Sequence, residues 1–342
     1  MSTITAAAAY PINSGGFNSP AGQVSYSGTA YSGSFIPALW SGKLAQKFYA
    51  ATVFGEIANT DWQGDITGMG DTVIINTIPT INIYSYSVGQ SLNYDVPAPS
   101  TITLTISHGK YFGVNVNNVL ELQAKPKLMD MFTNDASMQM KIQIDKDVLY
   151  TNFNQGAAAN QGATAGAISA AYNLGVDTAP ITLTAANILQ SITALSSVLD
   201  ENNVPETDRW LIITPTERQI LMQSNLAQAQ FMGDASSILR NGKIGMIDRF
   251  TVYVSNLVPR GAAGKTWYNP NTASDSATGA GSNLKRHAVI AGHKSAITFA
   301  SQIAKVESLQ NPNDFGTLVR GLNVYGTQVT QPNGLALLVV AG

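Results

Sequence analysis

Gly261-Ala-Ala-Gly264-Lys265-Thr266 is the stretch of this chain nearest to a phosphate-binding loop. Such a loop cradles phosphates on the backbone N–H groups of a glycine-rich turn, and it needs a glycine five places before Gly264. Pro259 stands there, and Trp267, Tyr268 and Pro270 occupy the place where a helix must begin. Asp61-Trp-Gln-Gly-Asp65 has the oxygen ligands of a calcium loop in the wrong order. Its glycine precedes the last aspartate, and Thr72 replaces the bidentate glutamate. Turn-forming residues explain that segment without a metal. The three histidines, His108, His287 and His293, are not paired at metal-ligand spacing. His287 and His293 flank a buried-looking strand and are expected to satisfy local hydrogen bonds. There is no cysteine and no G-x-S-x-G. Asp145 and Asp147 lie two apart on a helix, do not face each other, and read as a solvated side rather than a carboxylate pair. No catalytic residue, cofactor or metal is expected.

The distribution of charge says more. Charged residues make up 12% of the 342, about half the usual quarter. None occurs from Met1 to Gly42; Asp95 is alone from Thr72 to Ser107; Val148 to Val176 has none. A free monomer is kept apart from its neighbours by surface charge, and this chain lacks much of it. No apolar run approaches the roughly 18 residues that would span a membrane. The surface is therefore expected to be covered by other protein. The net charge of −2 argues against a dedicated nucleic-acid binder, and the absence of cysteine suits a reducing cytoplasm.

Elements follow from spacing and punctuation. Residues 1–34 read as an uncharged arm with Tyr10, Tyr26 and Tyr31, and 36–54 as a short helix. Strands are expected at 72–78, 101–107 and 111–119, the first two framing a tip with Tyr84, Tyr86, Tyr94, Pro97 and Pro99. Tyr84, Tyr86, Tyr94 and Asp95 are the candidate intersubunit contacts. From Pro126, Phe132, Ala136, Met140, Ile144 and Val148 recur at i+4 and mark a long helix to about Phe153. The Ala/Gly/Asn/Gln stretch 154–173 reads as a linker. A helix capped by Thr184 carries Ile188, Ile192, Leu195 and Leu199. Trp210 to Ile213 is a buried strand, and Thr214-Pro-Thr-Glu217 opens a helix with a capping box. Asn241-Gly242 marks a turn, 250–254 and 287–291 are strands, and 261–286 is a loop excursion. The end, Thr317 to Val340, reads as a β-hairpin turning at Pro332-Asn-Gly334.

The order of these parts resembles a known family. Trp40-Ser-Gly-Lys-Leu, Asp61-Trp-Gln-Gly-Asp-Ile, Gly70-Asp-Thr-Val-Ile-Ile, Arg209-Trp-Leu-Ile-Ile-Thr-Pro-Thr-Glu-Arg218 and the run from Gly242 to Asn256 occur in sequence. From about residue 35 the chain resembles the major capsid protein of tailed bacteriophages, with the Hong Kong 97-type α+β fold. The resemblance implies an N-terminal arm and short helix (1–59) and an extended β-hairpin loop (60–120) lying over a neighbouring subunit. It implies a peripheral domain with a spine helix (121–180), an axial domain (181–300), and C-terminal strands (301–342) returning to the peripheral domain. It implies a homo-oligomer of pentamers and hexamers in an icosahedral shell, built with scaffolding and portal proteins and, in some members, decoration proteins. That shell would enclose double-stranded DNA without specific binding and assemble in the host bacterial cytoplasm. Some relatives cross-link through a lysine in the extended loop. Here the nearest lysine is Lys110, so that chemistry is not carried over. The alternatives are an encapsulin-like compartment of the same fold, a tail or adhesin component, and last an enzyme.

Overall fold

The computed structural model describes residues 49, 50, 52–62, 72–79, 81–117, 128–224, 245–261, 267, 286–311 and 316–342. The expected arm, nearly all of the expected helix over 36–54, the phosphate-loop and calcium-loop candidates beyond their first residues, and the Asn241-Gly242 turn lie outside these residues.

Leu335–Ala341 reads LALLVVA and has no polar side for water. As strand β12 it lies inside a seven-stranded sheet, parallel to β4 (Ile181–Thr182) and antiparallel to β9 (Arg286–His293). β9 pairs with β5 (Arg209–Ile213), β5 with β7 (Phe250–Val254), and β7 with β6 (Met246–Ile247). The short β8 (Arg260–Gly261) lies against β9. Alternation divides the central strands between two cores. Trp210, Ile212, Ala288, Ile290, Leu337 and Val339 face a core shared with the long helix. Leu211, Ile213, Val289, Ala291, Leu338 and Val340 face a second core built with the next helix. Strands apolar on both sides belong where both faces are covered.

That placement corrects the expected C-terminal hairpin. Strand β11 (Gly316–Val329) and β12 are in different sheets, separated by a short 3₁₀ turn at Pro332–Gly334. β11 instead lies between β10 (Ile297–Gln310) and β3 (His108–Asn117), so a second sheet runs β10-β11-β3. A run with no polar side is satisfied only in a sheet interior.

Helix α1 spans Phe54–Ile57, α2 Leu128–Asn152, α3 Ile188–Glu201 and α4 Pro215–Gln223. The chain turns once before α3 begins. The Thr184 carbonyl accepts the N–H groups of Asn187 and Ile188, and Thr184 donates its own N–H to the Asn187 side chain at 2.7 Å. The expected cap by Thr184 is thus made by its backbone. At α4 the Thr214 N–H donates to Glu217 Oε2 at 2.7 Å, as a capping box requires. The other Glu217 oxygen meets His287 Nε2 on β9, so the expected local bond of His287 is a link between elements 70 residues apart. Burial alone would raise the Glu217 carboxyl; the His287 and Thr214 contacts outweigh it and hold the group below its ordinary value.

The expected linker at 154–173 is built into the body. Asn160 donates to the carbonyls of Asn333 and Leu335, both at 2.8 Å, and Ala165 and Leu174 enter the α3-side core. Small residues permit the close approach: a Cβ at Gly156 would stand 3.0 Å from the Leu335 oxygen. The sequence composition is that of a loop, but here the backbone groups themselves make the contacts.

Candidate functional site

Strands β1 (Thr72–Asn76) and β2 (Thr101–Thr105) pair antiparallel, Thr72 opposite Thr105 and Asn76 opposite Thr101. Their apolar face, Ile75 and Leu104 with Ile106, forms a small core with Ala300. The backbone of Thr105 crosses β11 so closely that a Cβ at Gly326 would lie 2.5 Å from the Thr105 oxygen. The root of the projection is therefore seated on the second sheet.

Above Thr77 and Ser100 the ladder stops, which shortens the expected hairpin strands. Pro79, Pro97 and Pro99 have no N–H to continue it. Residues 81–100 form no regular secondary structure and are exposed, turning at Ser87 to Gln90. Two of the candidate residues meet. Asp95 accepts the Tyr84 hydroxyl at 2.7 Å and the Asn82 N–H at 3.1 Å. The Tyr84 bond first, and the Asn82 N–H second, hold the Asp95 carboxyl below its ordinary range. Tyr86 and Tyr94 stand exposed on the same loop. So does a set of aliphatic side chains: Ile78 is 96% and Val88 97% exposed, with Ile81, Ile83 and Val96 beside them. The loop binds its one charge internally and presents apolar surface outward. A second uncovered region lies on the body. The second sheet leaves Tyr111 and Leu322 exposed on one face and Val306 on the other, and the first half of α2 leaves Phe132 and Met138 exposed.

The roots of the projecting parts converge on one turn of α2. Asp145 Oδ1 accepts the Val53 N–H at 3.2 Å and the Phe54 N–H at 2.8 Å, free donors at the start of α1. Asp147 Oδ2 accepts the Tyr325 hydroxyl at 2.5 Å and pairs with Lys110 Nζ at 2.9 Å, just past the loop. Both carboxylates are fully buried, which corrects their reading as a solvated side. They do point apart, but α2 is enclosed on both sides there. Ile142, Ile144, Val148 and Leu149 surround them in sequence, and apolar residues all round a helix signal burial all round. Burial pushes the Asp145 carboxyl up to about 6 against the two N–H bonds. Burial first, then the bond to Asp147, raises the Tyr325 hydroxyl.

The remaining histidines are also engaged. His108 stacks on Tyr325, and His293 contacts Ser295 at 2.7 Å. Among the described residues no three His, Asp or Glu side chains gather as a metal site. No described helix is long and apolar enough to cross a membrane.

The family described as phage capsid protein matches residues 99–338. The chain belongs to that family. Solved capsid structures share its fold. The structure of Mycobacterium phage Che8 superposes with a TM-score of 0.67 at 24% identity, covering 89% of this chain and 97% of that one. The capsid of Cyanophage P-SCSP1u gives 0.66 at 15% identity, over 95% and 99%. The mature capsid of bacteriophage PhiM1 gives 0.62 at 12%, over 88% and 91%. No curated protein matches. The α+β capsid fold and the structural role read from the order of motifs thus stand: by family this is a structural virion component, and the compartment-shell and tail or adhesin readings are not favoured.

Proposed function

We propose that this capsid protein closes into an icosahedral shell of pentamers and hexamers, clamped by residues 77–100 lying on a neighbouring copy. One observation carries the reading: a loop that satisfies its own charge through Tyr84 and Asn82 leaves Ile78, Ile81, Ile83, Val88 and Val96 in water. Exposed apolar patches of this kind mark protein contacts. In this reading residues 60–120 are the extended loop, α2 is the spine helix of a peripheral domain over 121–180, and residues 181–300 form most of an axial domain. Scaffolding and portal proteins are the expected partners, the host cytoplasm the place of assembly, and double-stranded DNA the content. No enzymatic step is assigned. Expressed with its scaffolding partner, the chain is expected to sediment as closed shells visible by negative stain. A monodisperse monomer at high concentration under those conditions would falsify the reading.

The shell wall should not hold its DNA. The 19 Lys and Arg are outnumbered by 21 Asp and Glu, with no basic run longer than Lys285-Arg286. Of these, Arg209 and Arg286 are buried in ion pairs with Asp200 and Asp177. Affinity for duplex DNA grows with the number of phosphates neutralised. The free subunit is expected to bind at about 10⁻⁴ M or weaker in physiological salt. A mobility-shift titration measures this, and submicromolar binding would overturn it.

A further inference from the structure

The described residues from Tyr49 to Asn59 are tied to α2 and β10. The Tyr49 hydroxyl donates to Asp135 Oδ1 at 2.9 Å, the Val53 and Phe54 N–H groups meet Asp145, and Asn59 exchanges backbone bonds with Ile297 and Phe299 of β10. Val53, Ile57 and Ala58 are the buried residues of this strap. Between Tyr49 and Asn59, one carboxylate of α2 accepts two consecutive backbone N–H groups. Its Oδ1 carries both N–H groups, and its buried Oδ2 has no hydrogen-bond partner among the described residues.

The charges around Asp145 do not compensate it. On α2, Asp147 is turned to Lys110 and Tyr325, Lys141 is exposed, and Lys146 is half-buried without an ion pair to Asp145 among the described residues. On α1, Glu56 is exposed and acts on Tyr253 of β7, whose hydroxyl is raised by burial and then by that charge. β10 presents Ile297 and Phe299. An ionised carboxylate in such a place has two backbone dipoles for support and an oxygen facing nothing, a costly arrangement.

We propose that Asp145 is a pH-sensitive latch on the segment from Tyr49 to Asn59, closing more firmly in acid and loosening when it ionises. The direction comes from linkage. With the strap closed the carboxyl titrates near 6; with the strap lifted and the group in water, it titrates at its ordinary 3.8. The state with the higher pKa is favoured by protons, so acid stabilises closure. Raising the pH from about 4 to 6 progressively removes that stabilisation, and above 6 the loss is complete. Burial of the acid thus makes the latch weakest at neutral pH, the reverse of a latch held by an ion pair.

The test is amide hydrogen exchange on the full chain at pH 4.5 and 7.5, corrected for intrinsic exchange, with the amides of β5 as internal reference. Protection of Val53, Phe54, Ile57 and Ala58 relative to β5 is expected to fall roughly 10- to 30-fold at the higher pH. In Asp145→Asn the side-chain oxygen still accepts the N–H bonds but never ionises, so protection is expected to be equal at both values. Flat protection in the unmodified chain overturns the proposal, even if the variant fails to fold. A parallel loss in β5, or the same pH dependence in Asp145→Asn, overturns it as well.

Discussion

Subunits in which residues 82–99 are replaced by a two-residue Asn-Gly turn should fold but fail to make stable shells. The excision removes seven large exposed apolar side chains: Ile83, Tyr84, Tyr86, Val88, Leu92, Tyr94 and Val96. Fully burying one such side chain is worth about 1.5–3 kcal/mol. Covering the set on a neighbour therefore supplies on the order of 10 kcal/mol per contact before ordering costs. The rest of the subunit should hardly notice. The small core at the root uses Ile75, Leu104 and Ile106, all outside the excision. Far-ultraviolet circular dichroism and the urea midpoint of the subunit should match the parent, while sedimentation shows only small species. Shells of ordinary stability from the shortened chain would remove the loop from its assigned role.

The largest effect on folding is expected at Asp147. Lys110→Ala leaves the buried Asp147 carboxylate with the Tyr325 hydroxyl on Oδ2, while Oδ1 has no hydrogen-bond partner among the described residues. Removing one partner of a buried pair costs about 3–5 kcal/mol. The Lys110 side chain is 26% exposed, so the lower end, about 3 kcal/mol, is expected after screening. Tyr325→Phe removes a bond to a charged group and should cost about 1.5–3 kcal/mol. The two substitutions share one carboxylate, so their effects should not add. Denaturant unfolding of both single variants and the double variant measures the coupling. A Lys110→Ala variant within about 0.5 kcal/mol of the parent would show that the pair contributes little.

The parts that were legible in the sequence are those whose signal is local. The i+4 recurrence from Phe132 to Val148 is a property of one helix, and Thr214 with Glu217 is a property of one turn. The scarcity of charge from Thr72 to Ser107 announced an uncovered loop before any geometry was known. Parts that depend on distant encounters were not legible. Whether Asp145 faces water is decided by residues 53 and 54, and Asp147 by Lys110 and Tyr325. His287 shows nothing of Glu217 in its own neighbourhood. Gly156 and Asn160 have the composition of a loop, and only the arrival of β12 makes their backbone and amide groups structural. β12 was read only as the second arm of a C-terminal hairpin, because an apolar run does not name its partners.

β12 also bears on the timing of synthesis. It occupies an interior place, between β4 and β9, yet it is translated after every other strand of that sheet. At about 5–20 residues per second, roughly 10–30 s separate the appearance of β4 from that of β12. Through that interval the flank of β9 that will receive β12 has no strand beside it, and the apolar residues destined for both cores lack one wall. A nascent or prematurely ended chain therefore offers an unfinished body to its neighbours. Chains that stop before Leu335 are therefore expected to lack the wall that β12 gives to both cores.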